Sequence, residues 1–146
     1  MSTHSHTKIW IHFIWETVDH VKMLDKNARL KLSEFLFNYA KEKKIFIKAL
    51  FVNADHVHIL IDLTTNLSIE ECIKLFKGAS SHFINQNGLT KGKFRWGKGY
   101  GAFSVSPSKL NEVVKYIRNQ EEHHKIKSFS EEYELFIEKY GVLLNG

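Results

Sequence analysis

The order of hydrophobic periodicities in this sequence predicts an α+β fold, a ferredoxin-like antiparallel sheet (β-α-β-β-α-β-α) with helices packed on it. Three observations carry that expectation. Strand-like and helix-like runs follow one another in that order through most of the 146 residues. Two strand-like runs are separated only by the turn-prone Asn53-Ala54-Asp55, which reads as a hairpin. Helix-start signals stand before each helical run, at Asp25, Ser68, Ser106 and Ser130.

Residues 7–17 (TKIWIHFIWET) are β-branched or aromatic at both parities, which suits a central strand covered on both faces. Over residues 25–44, Ala28, Leu32, Phe35, Leu36 and Tyr39 recur at helical spacing behind Asp25 as N-cap. Residues 45–52 and 56–63 form the hairpin strands. Ser68-Ile69-Glu70-Glu71 is a capping-box pattern and opens a helix running to about Asn85. Residues 88–101, rich in Gly, Lys and aromatics, read as a loop, and residues 102–105 as a short strand. Ser106-Pro107 fits an N-cap followed by proline at the first helical position, where no N–H is required. That helix carries Lys109 to His124, and a last one, capped by Ser130, ends near Gly141. No repeat or Pro/Gly-rich linker divides the chain, so residues 1–146 are expected to be one domain with residues 1–6 as a disordered tail.

A chain of this length can bury a core without disulfide or metal staples. Its 43% hydrophobic and 25% charged content is ordinary for a soluble globular protein. The single cysteine, Cys72, excludes an intramolecular disulfide and favours a reduced, cytoplasmic setting. The N-terminus lacks the pattern of a signal peptide and no segment is long enough to span a bilayer, so no membrane partner is expected. A net charge of +5 raises the odds of a polyanionic partner only slightly.

Three groups of residues carry chemistry. His56-Val57-His58 lies in a strand, so both imidazoles point to one face and Val57 to the other. Such a pair can ligate one divalent metal, or it can simply pack on a half-exposed sheet face. His4-Ser5-His6 has the same spacing, but no strand fixes it. In Tyr116-Ile117-Arg118-Asn119-Gln120, Tyr116 and Gln120 stand one turn apart, off the apolar stripe of Leu110, Val113, Val114 and Ile117, with His123 beside them. The tyrosine is either an amphipathic boundary residue or a nucleophile. A phenol titrates near pH 10, so nucleophilicity at neutral pH needs a nearby cation or base. The glutamine carbonyl could complete a metal site and hold the phenol near the cation. The third group is the run from Lys91 to Tyr100, with Lys91, Lys93, Arg95, Trp96, Lys98 and Tyr100 set among glycines. Interleaved cations and aromatics suit a loop that holds single-stranded nucleic acid by phosphate contact and base stacking. The alternative is a solvated loop whose aromatics pack back onto the sheet. Cys72 and His82 read as a packed and a boundary residue on their helix.

Taken together, Asp55-His56-Val57-His58, the segment Trp96–Ser106 (WGKGYGAFSVS), Tyr116-Ile117-Arg118-Asn119-Gln120 and Glu121-Glu122-His123-His124 resemble the single-tyrosine HUH transposases. That family comprises small insertion-sequence transposases and their REP-associated relatives, and the resemblance covers nearly the whole chain. It departs at Gly97, where many relatives carry glutamine, and at Thr17-Val18-Asp19-His20, where many continue into a basic stretch. The resemblance implies Tyr116 as the nucleophile on single-stranded DNA with hairpin ends, forming a 5′-phosphotyrosine link. It also implies a Mg²⁺ or Mn²⁺ ion held by His56, His58 and Gln120. A homodimer follows as well, often with the tyrosine helix of one subunit completing the site of the other. Two other readings compete: a non-catalytic or domesticated hairpin-binding protein on the same fold, and a metal-dependent hydrolase that uses the histidines but not Tyr116.

Overall fold

The computed structural model describes residues 5–120. Within them, β1 (Trp10–Glu16), α1 (Lys26–Glu42), β2 (Phe46–Val52), β3 (His56–Asp62), α2 (Ile69–Gln86), β4 (Gly101–Val105) and α3 (Leu110–Arg118) follow in the expected order. The four strands make one antiparallel sheet in the order β2-β3-β1-β4. β1 and β2 are joined through α1 yet separated by β3, the split βαβ arrangement of a ferredoxin-like sheet. The expected helix from Ser130 to Gly141, the accessory candidate His123 and residues 1–4 lie outside the described residues. No helix among the described residues is long and apolar enough to cross a membrane.

Local signals explain where the helices begin. Asp25 accepts a hydrogen bond from the Ala28 amide at 2.8 Å and starts α1. The capping box at α2 is complete: the Glu71 amide donates to Ser68 Oγ at 3.0 Å, and the Ser68 amide to Glu71 Oε1 at 2.9 Å. Those bonds favour the ionised form and hold the Glu71 carboxyl below its usual range. The third start differs from expectation. Ser106 makes no side-chain cap bond; its hydroxyl lies 3.0 Å from that of Ser108. Pro107 therefore opens a 3-10 turn, Pro107–Lys109, and α3 begins only at Leu110.

The sheet is covered on both sides. Side chains of odd parity in β1 and β3, among them Phe13, Trp15, Val57 and Ile59, pack under α1 and α2 with Leu32, Leu36 and Phe76. On the opposite face Trp10, Ala49 and Leu60 meet Val113, Val114 and Ile117 of α3. A bulge in β2 serves both layers. The pairing with β3 shifts between Ile47 and Ala49, so Ile47 faces α1 and α2 while Ala49 and Phe51 turn toward α3.

Candidate active site

β3 presents His56 and His58 on the α3 side, and Val57 on the other, as strand alternation requires. The half-exposed face that the sequence allowed is not what forms: both imidazoles are 0% exposed because α3 covers this side of the sheet. Burial of two imidazoles is tolerated only with partners, and each has one that fixes its orientation. His56 Nδ1 donates to Asp55 Oδ1 at 2.7 Å, and its Nε2 accepts from the Asn53 amide group at 3.0 Å. His58 Nδ1 lies 3.0 Å from Nε2 of His12, a β1 residue that is also fully buried. The two rings are diagonal neighbours, since His12 pairs with Leu60 and His58 with Ile14 across the β1–β3 ladder.

α3 brings the tyrosine to this pair. The half-buried Tyr116 ring meets that of His58 edge-on, with centroids 6.0 Å apart, and the His56 and His58 rings are 5.0 Å apart. All of these groups belong to one chain. The helix expected to run on through Gln120 instead ends at Arg118 with Asn119 as its C-cap. Just beyond it Gln120 is 0% exposed and its amide Nε2 donates to the Tyr116 carbonyl at 3.3 Å. Its Oε1 is buried with no hydrogen-bond partner among the described residues. A buried amide oxygen in that state is uncommon and is satisfied by water or a cation. No three His, Cys, Asp or Glu side chains among the described residues converge as metal ligands. Beyond the two imidazoles, the orphaned Gln120 carbonyl is a candidate oxygen donor of another residue type. Two imidazoles and an amide oxygen form a donor set that accepts Mg²⁺ or Mn²⁺ in company with waters.

The basic loop approaches the same end of the sheet. Thr17 and Trp96 form an isolated bridge beyond β1, the Val18 amide donates to Arg95 O at 3.2 Å, and the Gly97 amide donates to Glu16 O at 2.8 Å. Glu16 is the cross-strand partner of His56, so this backbone runs beside the histidine pair. A Cβ at Gly97 would lie 3.2 Å from Thr17 O, so glycine suits the close backbone approach at this point. Lys77 of α2 pins the loop from below, donating to Gly97 O at 2.8 Å and Gly99 O at 2.9 Å. Lys91, Lys93, Arg95, Lys98 and Tyr100 are exposed. Trp96 is not: it packs edge-on against Trp15 and Phe94 and donates through Nε1 to Ser80 Oγ at 2.9 Å. Of the two expected stacking aromatics, Trp96 is half-buried and Tyr100 is exposed.

Residues 5–120 match the family model of the IS200-like transposases. The chain belongs to that family. It is 27% identical over 114 residues to the ISDra2 transposase TnpA of Deinococcus radiodurans, covering 75% of this chain and 81% of that protein. The crystal structure of a proposed transposase from Deinococcus radiodurans superposes with a TM-score of 0.62 at 26% identity, over 82% of this chain and 96% of the other. A REP-associated tyrosine transposase bound to a REP hairpin superposes with a TM-score of 0.63 at 14% identity, over 85% of this chain and 74% of that one, a likeness of fold.

Within this IS200-like transposase chain, sequence reasoning missed His12, Asn53 and Glu16. Asp55 belongs to the motif, but the motif alone assigns it no role. His12 shares the strand parity of Trp10 and Ile14, a signal that gives its face but not its neighbour. Glu16, beside His56, is held above the usual carboxylate range chiefly by burial, with His20 opposing, Asp55 adding and Lys77 opposing. Two residues behave as expected. Cys72 is buried, and burial pushes its thiol up to about 12, so it is packed rather than reactive; His82 is exposed on α2.

Proposed function

We propose that this transposase cleaves and rejoins single-stranded DNA through a covalent bond to Tyr116. The observation that carries this reading is the Tyr116 ring seated against His58, four residues before a buried Gln120 whose carbonyl has no partner among the described residues. The phenol oxygen attacks a backbone phosphorus and the bond to the 3′-oxygen breaks. The products are a 5′-phosphotyrosine and a free 3′-hydroxyl, the phenol having lost one proton and the leaving oxygen having gained one. Rejoining is the reverse attack by a 3′-hydroxyl, and the covalent link conserves the bond energy, so no nucleotide cofactor is required.

His56, His58 and Gln120 would hold Mg²⁺ or Mn²⁺, which when bound polarises a non-bridging phosphate oxygen and offsets the charge that develops there. Asp55 fixes His56 as the Nδ1–H tautomer, which leaves Nε2, now hydrogen-bonded to the Asn53 amide, as the nitrogen that would ligate a cation. Lys91, Lys93, Arg95 and Lys98 supply phosphate contacts and Tyr100 a stacking face, while Trp96 holds the loop in shape. A hairpin-ended single strand is the substrate this reading favours. A homodimer, which the resemblance implies, belongs to the same proposal.

A pool of labelled single-stranded DNA hairpins with randomised flanks, incubated with the protein and Mn²⁺, tests the reading directly. Denaturing electrophoresis is expected to reveal a protein–DNA adduct that Tyr116→Phe and EDTA each abolish, with hairpin binding by Tyr116→Phe largely intact. Binding without an adduct under any divalent metal would favour the non-catalytic hairpin-binding reading instead.

A further inference from the structure

We propose that His12 is the positioning residue for His58. It fixes the tautomer of that ring, so that Nε2 is the nitrogen offered to the cation; this rests on the metal reading of the site given above. The geometry is a single hydrogen shared between two buried rings, His58 Nδ1 and His12 Nε2, 3.0 Å apart with ring centroids at 5.2 Å. One of the two nitrogens must be the donor, and the choice decides the chemistry. If His58 donates from Nδ1, its Nε2 carries the lone pair and can ligate. If His12 donates, the His58 proton sits on Nε2 and that nitrogen cannot bind a cation.

The neighbouring ring indicates which state the site is built for. His56 donates from Nδ1 to Asp55, and the same polarity at His58 makes the two imidazoles a matched pair of Nε2 ligands. The two supports differ in kind. Asp55 is a carboxylate and makes His56 the more basic ligand. His12 offers a ring nitrogen in place of a carboxylate, so it orients His58 without adding an anion to a site already flanked by Glu16 and Asp55. β1 reaches this site across the sheet, since His12 approaches His58 diagonally from the adjacent strand.

Two readouts on the full chain test the assignment. Long-range ¹H–¹⁵N correlation of the imidazoles in the metal-free protein is expected to find His58 protonated on Nδ1; protonation on Nε2 would overturn the proposal. Mn²⁺ titration followed by electron paramagnetic resonance reads the consequence. His12→Phe keeps a ring but removes the acceptor, and should weaken Mn²⁺ binding by about 10–100-fold. His12→Gln places an amide oxygen near the position of Nε2 and should recover most of that affinity, whereas His12→Asn, which is too short, should not. Equal Mn²⁺ affinity in wild type and His12→Phe, with unchanged circular dichroism, would also overturn it. Should His12→Phe fail to fold, the contrast between His12→Gln and His12→Asn decides the same point. Failure of the wild type to bind Mn²⁺ would contradict the metal reading, and the tautomer measured without metal would still decide the role of His12.

Discussion

On the face of the sheet covered by α1 and α2, β1 and β3 turn in only apolar side chains: Ile11, Phe13, Trp15, Val57, Ile59 and Ile61. On the α3 face the same two strands turn in His12, Glu16, His56 and His58 between Trp10, Ile14 and Leu60. Both faces are buried, but by different means. The first is held by packing, each large side chain contributing roughly 1.5–3 kcal/mol on burial. The second buries imidazoles that cost free energy unless each is hydrogen-bonded, so its residues are tied in pairs: Asp55 to His56, and His12 to His58. Under the proposed function, strand parity sets an all-apolar lining of β1 and β3 apart from the candidate chemistry, which sits beside the smaller α3 cluster. Variants on the two sides should fail in different assays.

The largest contrast is expected from His58→Ala. It should lower Mn²⁺-dependent adduct formation per folded molecule by at least about 10²-fold, the scale of losing one preorganised charge-stabilising group. Cutting the buried His12–His58 bond should also cost about 1–3 kcal/mol of stability. A variant that cleaves normally would remove His58 from the site. On the opposite face, Phe76→Ala should cost about 3–5 kcal/mol of stability in denaturant melts, yet leave adduct formation per folded molecule unchanged. Loss of activity without loss of stability there would break the division between the faces.

Much of this division could be read in the sequence. The capping box at Ser68, the hairpin around Asn53-Ala54-Asp55 and the shared face of His56 and His58 are local patterns with short-range causes. The covering of that face by α3 is not local, which is why a half-exposed surface is an open expectation for the histidines. His12 and His58 are 46 residues apart, and their contact depends on a strand register that no short motif encodes. The loop aromatics illustrate the same limit. Trp96 turns inward because Trp15, Phe94 and Ser80 offer a pocket and an acceptor, whereas Tyr100, four residues on, remains exposed.

Smaller effects sharpen the comparison further. Removing the exposed cations Lys93 and Arg95 together should weaken single-strand binding and reduce its salt slope by about 1.4, near 0.7 for each phosphate that is no longer neutralised. An unchanged slope would take this part of the loop off the DNA path. Cys72, on the packed face, gives the mildest signature. Its native thiol stays protonated to about 12 while the unfolded thiol ionises near 9. Its contribution to stability is therefore full below pH 9 and is lost as pH rises toward 12. Thiol labelling at pH 8.5 should accordingly follow global unfolding, and rapid labelling of the native protein would contradict that burial.

The most direct measurement is mass-spectrometric mapping of the DNA-linked peptide after nuclease trimming of the adduct formed with Mn²⁺. The expected result is a nucleotide mass on the peptide that contains Tyr116, and on none of the other four of the five tyrosines. A nucleotide on any other residue, or an adduct that persists in Tyr116→Phe, would contradict the assignment of chemistry to the α3 face.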